Sequence, residues 1–314
     1  MKETNENFNL SDNGLQVLSL FDGISCGMIA LERAGFKVSR YVAYEIEPNA
    51  IKISKKNYPQ IEHCGDVITA NFSQYEGFDL LIGGSPCTNF SAAKNHTAKN
   101  KKENDINEGE GWELFKQYAR ALNEAKPKYF LYENNYRISK NISDEITSIL
   151  GVKPILIDSA LVSAQQRKRL YWTNIPNVTQ PEDKGLVLKD IFIMDENLIR
   201  HDDRILPRAI QTKNYIKYDL TGKGYYSQQD RLYPLDVKAP TIARCRTETK
   251  TNMLIDPNDW STYKIISPVE AERLQTLPDG YTDCVAKTRR FEAIGNGWTV
   301  DVIAHIFSFM RVKN

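Results

Sequence analysis

The stretch Gln16-Val17-Leu18-Ser19-Leu20-Phe21-Asp22-Gly23-Ile24-Ser25-Cys26-Gly27-Met28-Ile29-Ala30-Leu31-Glu32-Arg33-Ala34-Gly35 decides how the rest of the chain is read. Gln16 to Phe21 is an apolar run of strand length, and Met28 to Ala34 has helical spacing and stops at Gly35. The turn between them carries Gly23 and Gly27, which let backbone approach a ligand closely, and the helix that follows offers free N–H groups. Further units repeat the rhythm: a strand at Tyr41 to Tyr44, a helix from Pro48 to Asn57, and a buried strand from Phe78 to Ile82 ending in Gly83-Gly84. A helix from Trp112 to Ala125 and a strand at Tyr129 to Tyr132 continue it. This β-α-β-α order predicts an α/β protein with a Rossmann-like, doubly wound, mostly parallel sheet covered by helices on both faces. Ligands then sit at the carboxyl ends of the strands.

The rhythm fails between about Asn174 and Asp236, where Pro, Gly, Asp, Lys and tyrosines mix without long apolar runs. A small, irregular second domain is expected at 174–237, inserted between 1–173 and 238–314 of the first. Arg200 to Lys250 carries 11 Lys/Arg against 6 Asp/Glu, locally basic by 5. Patterning returns with Ser267-Pro268-Val269-Glu270, a capped helix start with Pro at its first position, and a last helix is expected from Val300 to Met310.

Composition narrows the function classes. The 314 residues hold 41 Lys+Arg against 40 Asp+Glu, so the whole chain has no charge excess that would advertise a polyanion or a membrane. No run approaches a membrane span, and the polar start Met1-Lys2-Glu3-Thr4-Asn5 does not read as a signal peptide, so a cytoplasmic protein is expected. Five cysteines without CxxC spacing argue against a disulfide framework or zinc site, and four scattered histidines give metal catalysis no support.

Five short strings carry chemistry. Tyr44-Glu45-Ile46-Glu47 ends the second strand, where a carboxylate can accept both hydroxyls of a ribose, and Gly65-Asp66-Val67 could set an acid beside an adenine amino group. The plainer reading of both acids is solvated strand ends. Gly83-Gly84-Ser85-Pro86-Cys87 puts a cysteine in a stiffened loop at the catalytic edge, followed by Lys94, Lys99, Lys101 and Lys102 with no acid before Glu103. Positive surroundings favour a thiolate, although most free cysteines are inert fillers. Glu133-Asn134-Asn135 follows a buried strand and could supply an acid, or merely a cap. Gln165-Gln166-Arg167-Lys168-Arg169-Leu170-Tyr171 reads as a strand with Arg167 and Arg169 on one face, suited to a carbonyl plus a phosphate, or to guarding a sheet edge.

Taken together and in order, these strings resemble the C5-cytosine DNA methyltransferase family over nearly the whole chain. Phe21 to Gly27 is similar to its methyl-donor loop, Pro86-Cys87 to its nucleophile dipeptide, and Glu133-Asn134 to its acid motif. Gln165 to Tyr171 resembles its Gln-x-Arg-x-Arg-x-Tyr signature. Lys238-Ala239-Pro240-Thr241-Ile242 resembles the element before its core resumes, and Gly295-Asn296-Gly297-Trp298-Thr299-Val300 its closing motif. Gly84-Ser85-Pro86-Cys87, Glu110 to Phe115 and Trp298 resemble the de novo eukaryotic branch and its phage or bacterial relatives. Asn135 stands where the family usually has Val, and Ala164 where Pro is common before Gln165.

The resemblance implies a class I methyltransferase fold, S-adenosylmethionine as donor, no metal, and transfer to C5 of a cytosine flipped out of double-stranded DNA. It implies Cys87 as nucleophile, Glu133 as proton donor at N3, Arg169 on the base O2, and Arg167 orienting the cysteine loop or a phosphate. Donor contacts would come from Phe21, Asp22, Gly23, Ser25, Glu45, Ile46, Asp66, Val67, Pro86, Asn296 and Trp298. DNA would be met by Ser91, Lys94, Arg200, Arg204, Arg208 and Arg231. A monomer in a bacterial or phage-infected cytoplasm is expected, either solitary or paired with a restriction endonuclease. Two rival readings remain on the same fold: a tRNA cytosine-5 methyltransferase and a non-catalytic DNA-binding relative.

Overall fold

The run at the start of the chain forms β1 (Leu15–Leu20), with every side chain but that of Gln16 buried. A tight turn leads into α1 (Cys26–Arg33), and Gly35 at φ +84° ends it, with Phe36 N–H donating back to Leu31 C=O at 3.0 Å. There follow β2 (Val38–Tyr44), α2 (Pro48–Asn57), β3 (Glu62–His63), β4 (Leu80–Gly83), α3 (Glu110–Ala125), β5 (Tyr129–Asn135), α4 (Lys140–Leu150), β6 (Ile155–Asp158) and β7 (Lys168–Thr173). The computed structural model describes residues 14–86, 109–220, 231–243 and 251–310.

Among the described residues, contacts divide the chain into two compact units. One comprises Met1–Ile157, Lys168–Gln180 and Ile303–Asn314; the other comprises Asp158–Arg167 and Pro181–Val302. The first unit is built on a seven-stranded sheet in the order β3-β2-β1-β4-β5-β7-β6. β1 pairs in parallel with β2 and β4, β2 with β3, and β4 with β5, as the alternating pattern requires; β7 alone is shown antiparallel to β5. Parallel strands covered on both faces read as continuous apolar runs, and Leu80 to Gly83 is buried throughout. Gly83 is required there: a Cβ would stand 2.8 Å from the Leu20 carbonyl oxygen and 3.1 Å from the Tyr118 ring. Beside it, Phe115 and Tyr118 of α3 pack on Tyr132 of β5 with ring centres 5.2 and 4.8 Å apart, and Trp172 of β7 follows at 5.8 Å.

The second unit holds β8 (Ile199–His201), β9 (Ala209–Gln211), β10 (Ile216–Tyr218), β11 (Arg231–Pro234), β12 (Asn252–Asp256) and β13 (Asp259–Ile265), ordered β8-β13-β12-β11-β10-β9. Its core joins Ile205, Ile216, Tyr218, Leu232 and Leu254. The stretch expected to be irregular therefore contributes four strands to a sheet. Three- and four-residue strands are too short for alternation to show against a polar background. Helices α5 (Pro268–Leu274), α6 (Lys287–Asn296) and α7 (Val300–Phe307) follow. Ser267 caps α5 as its sequence predicts: its hydroxyl accepts from Glu270 N–H at 3.1 Å, and the Glu270 carboxylate accepts from Ser267 N–H at 2.7 Å.

Candidate active site

The first unit gathers two groups of functional side chains at the carboxyl ends of β1, β2, β4 and β5. The turn after β1 is wound tightly, with Phe21, Gly23 and Ser25 all near φ +60°. For Phe21 and Ser25 such a conformation costs of order 1–3 kcal/mol and persists only where surroundings impose it. Asp22 imposes it here: its carboxylate accepts from the hydroxyls of Ser19 (2.6 Å), Ser25 (2.5 Å) and Tyr41 (2.7 Å). Ser25 continues the network to Ser54 (2.6 Å), and Ser54 to His63 Nε2 (3.0 Å). Burial pushes the Tyr41 phenol well up, with the Asp22 charge adding to it, so Tyr41 stays a donor to that carboxylate. Asp22 thus serves the loop from within.

Glu45, at the end of β2, closes the other side. Its carboxylate accepts from the N–H groups of Gly23 (2.8 Å), Ile46 (2.8 Å) and Glu47 (2.9 Å). Burial nevertheless holds its pKa above the usual carboxylate value, against the pull of those three donors. A Cβ on Gly23 would meet nothing within 4 Å, so the loop is open where a ligand would approach. Two side chains flank this opening in sequence: Ile46 after Glu45, 68% exposed, and Ile68 after Val67, 63% exposed. Asp66 takes Ile68 N–H on Oδ1 at 2.9 Å, capping the short turn of Val67–Thr69, and Val67 itself is buried. Ile68 was missed by sequence reasoning; its signal was a large apolar side chain following a strand-end acid, as Ile46 does.

The second group lies one strand further along. Glu133 of β5 and Arg169 of β7 form an ion pair, Oε1 to Nε at 3.0 Å, with side chains 13% and 14% exposed. The antiparallel register sets it, pairing Glu133 with Tyr171 and Asn135 with Arg169. Behind them Asn134 Nδ2 donates to the Tyr132 hydroxyl at 3.1 Å, and that hydroxyl bonds Ser85 Oγ at 2.6 Å, all three residues being buried. Pro86 follows Ser85 and is exposed. Cys87, Ser91 and Lys94 lie outside the described residues.

Arg167 departs from its expected place. β7 begins at Lys168, so the two arginines do not share one strand face toward a substrate. Arg167 is buried in the second unit, where Nη1 donates to Ile242 C=O (2.9 Å) and Nη2 to Gly295 (3.1 Å) and Gly297 C=O (2.9 Å). Gln165 acts alongside: its amide accepts from Ile242 N–H at 2.7 Å and donates to Leu274 C=O at 3.0 Å. A planar fork with several donors suits bare carbonyls at a helix end, which explains an arginine in a dry place. Gln275, unseen in the sequence reading, completes this knot by donating to Ile294 and Gly297 C=O and accepting from Thr299. Asn296, exposed, and Trp298, half-buried, sit on the segment so fixed.

The four arginines proposed for DNA lie in the second unit in different states. Arg204 is held by Asp202 through two short bonds (2.8 and 2.6 Å), and Arg200 donates to carbonyls of its own turn. Arg208 is exposed at the end of a short turn of helix. Arg231 lies over the Tyr215 ring at 4.5 Å, and its Nε is buried without a hydrogen-bond partner.

Comparison with known proteins bears on the family and the fold. The chain is 32% identical over 240 residues to the orphan methyltransferase M.SPRI of Bacillus phage SPR, covering 72% of this chain and 45% of the phage protein. It is 25% identical over 310 residues to the type II methyltransferase M1.ScrFI of Lactococcus lactis subsp. cremoris, covering 92% of this chain and 76% of that one. The chain thus spans less than half the length of the phage relative. Among solved structures, the Dnmt2 methyltransferase of S. pombe superposes with a TM-score of 0.68 at 17% identity, over 94% of this chain and 97% of that one. The sequence model of C-5 cytosine-specific DNA methylases matches residues 15–311, and the chain belongs to that family.

Proposed function

We propose that this protein transfers a methyl group from S-adenosylmethionine to C5 of a cytosine in double-stranded DNA, through an adduct of Cys87 at C6. The observation that carries the reading is the Glu133–Arg169 ion pair, with Asn134 beside it tied through Tyr132 to Ser85, which precedes Pro86-Cys87 in the sequence. C5 of cytosine is a weak nucleophile, and a thiolate added at C6 makes it an enamine carbon. Glu133 gives a proton to N3 as the charge develops there, while Arg169 fixes the Glu133 carboxyl and takes the base O2. C5 accepts the methyl, loses its proton to a base, and the C6–sulfur bond breaks to release Cys87. The ring face at C6 is covered by stacked neighbours in a duplex, so the base must leave the helix.

The donor, when bound, supplies an electrophilic methyl. The residues present fit it: Glu45 as acceptor for ribose hydroxyls, Ile46 and Ile68 as apolar walls for an adenine, Asp66 for its amino group, and Val67 beneath. The open backbone of Phe21, Gly23 and Ser25, with Pro86, completes the set in this unit, and Asp22 shapes the loop; Asn296 and Trp298 are assigned to the donor from the family resemblance alone. Target recognition falls to the second unit, within 174–237, where Arg208 and Arg231 are better placed than the Asp202-paired Arg204 or the turn-bound Arg200; Ser91 and Lys94 would serve the DNA strand at the target base. Similarity to a phage orphan enzyme and a bacterial type II enzyme supports work in a bacterial or phage-infected cytoplasm, alone or beside a restriction endonuclease.

Labelled methyl transfer to duplex DNA and to tRNA tests the substrate, and bisulfite sequencing of DNA from expressing cells gives base and context. Wild type should trap DNA containing 5-fluorocytosine covalently, and Cys87→Ser should not. Glu133→Gln should cripple turnover and leave donor binding nearly intact. Transfer to tRNA alone, or trapping by Cys87→Ser, defeats the proposal.

A further inference from the structure

Just past the carboxyl end of β5 stands a charged surface that none of these roles uses. Tyr136 follows Asn135 and is 38% exposed. The Arg137 guanidinium carbon lies 5.4 Å from the centre of its ring, with Nε donating to the phenol oxygen at 2.9 Å. Lys168, the first residue of β7, brings its ammonium to 6.0 Å from the same ring. Both cations are exposed, and among the described residues neither has a carboxylate partner. Neighbouring charges differ: Arg169 is paired with Glu133, and Lys140 with Asp144 at 2.6 Å.

The geometry points to a phosphate clamp: Arg137 and Lys168, set on the Tyr136 ring, grip the backbone of the DNA strand beside the cytosine that is turned out. This rests on the methyltransferase reading and adds a DNA contact to it. The register argues for the place. Asn135 is paired with Arg169, so Tyr136 and Lys168 lie one residue beyond that strand pair, and Lys168 is next to the Arg169 of the ion pair. A nucleotide whose base reaches Glu133 carries its phosphates past this edge. Two uncompensated cations suit a polyanion, and the aromatic ring limits the rotamers of both, lowering the entropy lost when phosphate binds. A merely solvated strand edge would show the same exposure but no effect on DNA binding.

The salt dependence of binding separates these readings. Each phosphate neutralised on duplex DNA contributes about 0.9 to the slope of log affinity against log salt. Binding of the full-length protein to a fluorescent duplex that the wild type methylates is measured between about 50 and 200 mM salt. Arg137→Gln and Lys168→Gln should each lower the slope by about 0.9, so that each loses roughly 3.5-fold less affinity than wild type across that range. KM for DNA should rise in both while KM for the donor stays constant. Tyr136→Ala keeps the charges, and should weaken binding without changing the slope. Lys126→Gln, which removes a cation paired with Glu76 at 2.7 Å before β5 begins, should change neither quantity. Wild-type slopes in both charge variants, with DNA still methylated, overturn the clamp alone. Absence of any methyl transfer to DNA by the wild type overturns the reading beneath it.

Discussion

The Tyr132 hydroxyl gives the sharpest test of how the nucleophile segment is held. It is fully buried, it accepts from Asn134 Nδ2 at 3.1 Å, and it shares a 2.6 Å bond with Ser85 Oγ. Burial holds its phenol above the ordinary value, so it remains a hydroxyl over the working pH range. Tyr132→Phe removes both bonds and strands two buried polar groups. At about 1 kcal/mol for each net bond, the cost should be about 2 kcal/mol, within a range of roughly 1–3. Tyr118→Phe is the matched control: that ring is in the same cluster, and its hydroxyl makes one long bond, 3.4 Å to Leu81 C=O, so its loss should cost under about 1 kcal/mol. Urea unfolding measures both, and a cycle with Ser85→Ala isolates the shared bond. The double variant should cost about 1 kcal/mol less than the sum of the singles. Since Ser85 stands two residues ahead of Cys87, the same coupling should appear in the rate of 5-fluorocytosine trapping. Equal costs for the two tyrosines, or a strictly additive cycle, would refute the reasoning.

Two further perturbations follow from the site. The Glu45 carboxylate must be ionised to accept ribose hydroxyls, so donor affinity is present above its pKa and falls as pH drops through it. Because burial raises that pKa above the ordinary carboxylate value, calorimetric titration should show the weakening start at a higher pH than an exposed glutamate would give, and Glu45→Gln should flatten the profile. Without donor the sign reverses: a raised carboxylate contributes stability at low pH that is lost as pH rises through the folded value. Arg167→Ala leaves three carbonyls without a charged donor and should cost about 3 kcal/mol or more, lowering the melting temperature by roughly 5 °C. Arg169→Ala should cost far less stability and abolish transfer; a stable Arg167→Ala protein that has lost only catalysis would reverse the assignment.

Most of the sheet was legible because its strands are buried on both faces. Leu15–Leu20, Leu80–Gly83 and the Tyr41–Tyr44 and Tyr129–Tyr132 parts of β2 and β5 are mostly apolar, and burial of that kind leaves little freedom in residue choice, whereas the exposed Ser39 and Arg40 near the start of β2 carried no such signal. β3 escaped notice because Glu62–His63 is two residues long and polar, and α4 was passed over although Ser139 caps it and Gly151 ends it in a left-handed conformation. In the second unit the strands are held by pairing more than by pattern. Ile199–His201 and Ala209–Gln211 present mostly exposed side chains, so no periodicity could announce them.

The signature Gln165 to Tyr171 shows where motif reading reaches its limit. Spacing of two between arginines implies a shared face only if both lie on one extended strand, and the strand starts between them, at Lys168. On one side of that point Arg169 meets Glu133 among partly exposed groups; on the other, Arg167 donates to three backbone carbonyls. The same guanidinium chemistry does both tasks, because carboxylates, substrate oxygens and helix-end carbonyls are all acceptors that a fork can reach. Residue type and spacing therefore identify the acceptor class and leave its owner open; burial decides it. Four per cent exposure at Arg167 leaves no path for a phosphate, whereas the partly exposed Arg169 and the exposed Lys168 between them can still meet one. On the proposed reading the seven-residue string holds a structural tie, a phosphate cation and a catalytic partner one after another, and melting temperature, salt dependence and turnover should each respond to a different one of the three.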